Sequence, residues 1–122
     1  MAGVYELDYK GKTILCLDIS GMQSKDKLEY HKHIEHAKDI IRKQPPKSML
    51  VITKVINTRF DGEIAGLVKE YAQHNTPYVK ASAVVGIEGW AKIILTAIKT
   101  ATGRDFHLST TMEEAQEWLV NQ

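Results

Sequence analysis

From Met49 onward the chain alternates two hydrophobic rhythms, and that alternation constrains the fold more than any other feature. Apolar, β-prone runs at 49–53, 79–85 and 106–108 are separated by stretches of helical periodicity at 62–74, 88–102 and 111–120, with another helical stretch at 25–43 ahead of them. Strands joined through helices need crossover connections, which implies a mainly parallel sheet. The opening differs. Residues 4–9 and 13–19 are both β-prone, and the "KGK" between them offers Gly11 as a turn residue, so the chain should begin with an antiparallel hairpin. The expected class is α/β: a single mixed, mainly parallel sheet opened by a hairpin whose first strand lies at or near an edge, with about four helices.

The breaks fall where such elements end. Pro45 and Pro46 follow the first long helix, "HNTPY" ends the second, and Gly103 stands where a helix C-terminus favours positive φ. Thr110-x-x-Glu113 has the pattern of a capping box for the last helix. No repeat, low-complexity tract or linker interrupts the chain, so residues 1–122 are read as one domain with enough apolar material for a core.

Charge narrows the function classes. Sixteen basic and fifteen acidic residues leave a formal charge of +1, and the signs are interspersed. That pattern offers no footprint for nucleic acid or for an anionic membrane surface. No stretch approaches the ~20 apolar residues of a membrane span, and "MAGVYELDYK" lacks the apolar centre of a signal peptide. Cys16, the single cysteine, is expected to be a buried, inert thiol in a reducing compartment. The expected location is the cytoplasm.

Two helical faces differ in width. Ile64, Leu67, Val68 and Tyr71 fall within about 100° of arc, enough to cover a sheet, while Lys69, Glu70 and Gln73 lie outside it. Trp90, Ala91, Ile93, Ile94, Leu95, Ala97, Ile98 and Ala101 instead spread over roughly 200° of the next helix. One sheet face cannot easily bury them all. Either the C-terminal helix, with Met112, Ala115, Trp118 and Leu119, covers the surplus, or the surplus is a partner surface, a homodimer seam or the wall of an apolar pocket.

Ligands of open α/β sheets bind at the carboxyl ends of the strands. Here those ends are "SGM" (20–22), "NTRFDGE" (57–63), "GIEGW" (86–90) and Ser109-Thr110. The candidate interaction or ligand surface is accordingly Thr58, Arg59, Phe60, Asp61, Glu63, Gly86, Glu88 and Trp90. "FDGE" and "GIEG" place glycine at helix starts, where free N–H groups favour anions, and Arg59, Lys80 or Arg104 are available to add charge. Asp61 and Glu63 oppose that reading, because an N-cap aspartate and a first-turn glutamate occupy an anion's place.

Catalytic patterns are missing from the sequence. No G-x-S-x-G elbow or phosphate-binding glycine motif occurs, and the carboxylates read as caps and solvent-facing groups, so an enzyme is not expected. His31, His33 and His36 do not form a metal set: His31 and His33 lie about 160° apart around a helix, and the i, i+3 pair His33/His36 has only solvent-face neighbours such as Glu29, Lys32 and Asp39. Neither a metal nor a cofactor is expected.

The order β-β-α-β-α-β-α-β-α, carried by "ILCLDISG", "MLVITKVINTRF", "HNTPYVKASAVVGIEG" and "TTMEEAQEWL", resembles the STAS domain superfamily, the fold of anti-sigma-factor antagonists. It looks closest to the stand-alone bacterial and archaeal STAS/SEC14 domain-containing proteins, and the resemblance spans nearly the whole chain. In the antagonists the turn corresponding to 57–63 carries Asp-Ser-Ser-Gly, whose second serine is phosphorylated to switch partner binding. Here Asp61-Gly62-Glu63-Ile64 keeps the aspartate and neither serine, and Glu63 stands at the phosphoserine position with about one charge where phosphate carries −1.5 to −2. The resemblance therefore implies a non-catalytic regulatory or protein-interaction module, a homodimer or a binder of another protein, without the serine switch. The superfamily's likeness to lipid-binding CRAL-TRIO domains implies the alternative, a binder of an apolar or anionic small ligand such as a lipid-like molecule or a nucleotide.

Overall fold

The computed structural model describes residues 3–59, 61–89 and 91–122. Strands β1 (Gly3–Tyr9) and β2 (Lys12–Asp18) form the opening hairpin, followed by α1 (Lys27–Ile41), β3 (Met49–Lys54), α2 (Gly62–Asn75), β4 (Val79–Val85), α3 (Ala91–Thr102), β5 (His107–Ser109) and α4 (Met112–Val120). The sheet order is β1-β2-β3-β4-β5; β1 pairs antiparallel with β2 and the remaining pairs are parallel. This is the expected mixed α/β sheet with its first strand at an edge. Both central residues of the hairpin turn, Lys10 (φ 49°) and Gly11 (φ 80°), are left-handed. Two positive φ values match the turn twist to that of the flanking strands.

Sequential strand order fixes which side each helix takes. Successive right-handed crossovers that all step in one direction place their helices on one face. That face holds Leu15, Leu17, Val51 and Val84 from the strands, with Tyr30, Ile34, Ala37 and Ile41 of α1, Ile64 and Tyr71 of α2 and Ala91 of α3. The alternate strand residues Ile14, Cys16, Leu50, Ile52, Ala83 and Val85 point to the opposite face, where only α4 remains to cover them with Ala115 and Leu119.

This overturns the expectation that α4 covers the surplus apolar face of α3. The two helices lie on opposite sides of the sheet. Ala91, Ile94, Leu95 and Ile98 turn inward toward α2 and the sheet, whereas Ile93, Ala97 and Ala101 stay exposed. Helix α3 also starts at Ala91, three residues later than periodicity predicts, because residues 86–89 carry two left-handed glycines, Gly86 and Gly89. At the last helix the cap is Thr111, whose hydroxyl accepts from Glu114 N at 3.1 Å, one position beyond the expected Thr110-x-x-Glu113 box. The Thr110 hydroxyl donates to the Glu114 carboxylate instead.

Candidate functional site

The loops leaving β2 and β3 are stitched into one layer at the carboxyl ends of the strands. Gly21 N donates to Ile56 O at 2.8 Å, Ile56 N to Ser20 Oγ at 3.1 Å, and Arg59 N to Met22 O at 2.9 Å. The Thr58 hydroxyl donates to Ile19 O at 2.7 Å, which makes it a brace between loops. Tyr30, fully buried on α1, reaches the same layer and donates its hydroxyl to Arg59 O at 2.8 Å. Burial holds that phenol well above its ordinary pKa, with the charges of Asp26 and Asp61 adding to the shift. The Arg59 side chain is exposed.

Asp61 caps α2: its Oδ1 accepts from Ile64 N at 2.9 Å. Glu63 occupies the first turn of the helix, where negative charge complements the dipole. Both carboxylates face Lys27 at the start of α1, whose ammonium lies 2.5 Å from Glu63 and 3.7 Å from Asp61. Glu63, then Asp61, raise the proton affinity of Lys27. The positive end of α2 is thus met by the chain's own carboxylates. Lys80 and Arg104 do not join this end, contrary to expectation: Lys80 is the second residue of β4 and Arg104 precedes β5, so both lie at the amino ends of the strands.

Across the sheet, Thr58, Gly86 and Glu88 come together with Asn57 and Ile87 around a cleft of about 140 Å³. Gly86 is required there. At φ +81° a β-carbon on it would lie 2.4 Å from Ile56 Cγ1, so only glycine lets the β4 exit pass the β3 exit. Arg59, Asp61 and Glu63 do not line this cleft. Of the remaining candidates, Phe60 and Trp90 lie outside the described residues.

Sequence reasoning named Ser20 only as part of the "SGM" strand end and missed Lys27, Leu28 and Tyr30. Leu28 is 87% exposed. Its signal was present, because the buried residues of α1, Tyr30, Ile34, Ala37 and Ile41, define one face and Leu28 falls about 160° from Tyr30. Ile93 in the first turn of α3 (68% exposed) and Ile56 after β3 (38% exposed) lie at the same end of the fold. Three of the five exposed large apolar residues among those described therefore gather at the carboxyl ends of the strands.

Elsewhere, the histidines of α1 form no cluster: His33 faces Glu29 at 3.3 Å, and among the described residues no three His, Cys, Asp or Glu side chains are grouped to hold a metal. His107 stacks on Trp118 with ring centroids 4.4 Å apart. Cys16 is fully buried, and burial pushes its thiol up to about 11. No described helix is long and apolar enough to cross a membrane.

No family model and no curated protein sequence matches this chain. Among solved structures it is similar to an uncharacterised protein of the DUF3478 family from Shewanella loihica PV-4 that has a SpoIIAA-like fold, with a TM-score of 0.72. The two share 10% identity, and the match covers 98% of this chain and 95% of the other. The chain therefore has the SpoIIAA-like, STAS-type fold that its sequence resembles, and at this identity the likeness carries the fold alone.

Proposed function

We propose that the chain is a non-catalytic, cytoplasmic STAS-like module that works by protein association, with a second copy of itself as the first partner to test. The observation that carries this reading is that Leu28, Ile56 and Ile93 are exposed at the end of the fold that also holds the Lys27–Asp61–Glu63 charge group. Exposed apolar residues on a face that also carries charge are the composition of an association surface. Glu63 keeps a permanent negative charge there, so binding does not wait on a serine kinase. The hydroxyl and carboxylate groups of the layer are engaged as braces, caps and ion pairs, which favours a scaffold over a reaction centre.

A small ligand held between the same loops is the weaker reading. The cleft at Thr58, Gly86 and Glu88 offers about 140 Å³, against the ~300 Å³ or more of ordinary ligand pockets. Light scattering over a wide concentration range, paired with affinity capture, tests the association. The expected result is a concentration-dependent dimer that Leu28→Ser with Ile93→Ser abolishes while the melting temperature holds. A strict monomer that captures no partner would overturn it.

A further inference from the structure

Between α2, α3 and the sheet lies a cavity of about 50 Å³, partly open to the surface, whose walls are mostly Val, Ile and Leu side chains. Its polar lining residues are Thr53, Tyr71, Asn75, Ser82 and Arg104, and none of its lining residues is acidic. Arg104 donates to Ala72 O at 2.9 Å and to Ser82 Oγ, and its guanidinium lies 5.0 Å from the Phe106 ring centroid. Ala72 belongs to the last turn of α2, so the negative end of that helix offsets part of the charge. No carboxylate among the described residues pairs with Arg104, and three of a guanidinium's five N–H donors remain. Burial lowers the pKa of the group accordingly.

Tyr71 supplies the second, independent sign. It is only 4% exposed, it lines the same cavity, and its hydroxyl, with the Asn75 side chain as its polar neighbour, makes no close hydrogen bond among the described residues. Buried hydroxyls are almost always bonded, and an orphan one beside a guanidinium without its anion marks a place for an acceptor. Water satisfies the hydroxyl but leaves the part-buried guanidinium without a counter-ion on the cavity side. The volume sets the size. At 10–15 Å³ per water-sized group, the cavity takes about four such groups.

We infer that this cavity binds a two-carbon carboxylate, about four non-hydrogen atoms in all, its oxygens accepting from the Tyr71 hydroxyl and the remaining Arg104 N–H groups, its methyl group lying against Val84, Ile94 and Ile98. The site is separate from the association surface and stands or falls without it.

Titrating the isotope-labelled full chain with sodium acetate, at constant ionic strength and followed by NMR, tests the site. Saturable shifts are expected at Tyr71, Ala72, Ser82 and Arg104, with acetamide at least about tenfold weaker and sodium chloride producing none. Tyr71→Phe loses no close hydrogen bond in the free protein, so it should weaken acetate roughly tenfold without lowering the melting temperature. Arg104→Lys should also weaken it; if that variant fails to fold, Tyr71→Phe decides. Shifts that do not saturate, that chloride or the amide reproduces, or that Tyr71→Phe leaves unchanged would overturn the inference and leave the cavity a pocket for water.

Discussion

The Lys27 ammonium lies 2.5 Å from the Glu63 carboxylate, tying the first turn of α1 to the first turn of α2. Both side chains are largely exposed, and exposed pairs contribute little stability. Glu63→Gln should leave the melting temperature nearly unchanged. Glu63→Lys brings two ammonium groups together beside a helix N-terminus, so it should melt lower in dilute buffer and recover most of the loss in high salt. Thermal melts at two salt concentrations check this, and a loss that salt does not relieve would point to packing instead of charge.

Among the glycines at this end, Gly86 is the one where an added methyl group would also collide with a neighbour. Gly86→Ala meets both the left-handed backbone and the Ile56 side chain, and should cost about 2–4 kcal/mol. Ile56→Ala removes the Cγ1 contact but not the approach of Ile56 Cα at 3.2 Å, so the double variant should regain only part of the loss. Denaturant unfolding of the two single variants and the double completes the cycle. Full additivity would mean that the two residues do not meet.

Most of the sheet was legible because each strand carries its own period, and β4 was read at 79–85 as it stands. The side of each helix was not legible from its own periodicity. Periodicity says how wide an apolar face is but not what it meets; the meeting of α3 with α2, and of α4 with the far face, follows from strand order. The site split in the same way. Asp61 as cap is local chemistry and could be read from five residues, whereas Tyr30 bonding Arg59 O and Lys27 facing Glu63 join residues about thirty apart in sequence. The meeting of Arg104 and Tyr71 in one cavity is likewise long-range, and the sequence reading offered Arg104 as a charge for the opposite end of the sheet.

The start of α4 separates two adjacent threonines. Thr111 accepts from Glu114 N, so Thr111→Ala should cost about 1 kcal/mol. Thr110 makes only an exposed hydroxyl-to-carboxylate contact at 3.2 Å, and Thr110→Ala should be close to neutral. Because α4 alone covers Ile52 and Val85, fraying it should also speed amide exchange on that side of the sheet. Equal effects of the two substitutions would place the cap at the wrong residue.

Cys16 gives the fold an alkaline limit. Its thiol is fully buried on the face of the sheet that α4 covers, where burial raises its pKa from an ordinary 9.0 to about 11. In that interval the folded protein keeps the proton and the unfolded chain has lost it, so stability falls as pH rises. The contribution is complete below about pH 9 and gone above about pH 11. The buried phenols of Tyr30 and Tyr71, also held above their ordinary values, push the same way. Cys16→Ala removes the thiol's share, on the order of 2 kcal/mol, and should flatten the decline while costing some packing at every pH. Urea melts from pH 8 to pH 11 read this out, and an aromatic disulfide reagent should label the wild-type thiol only at the rate of opening. Rapid stoichiometric labelling at pH 8 would contradict the burial on which the alkaline slope depends.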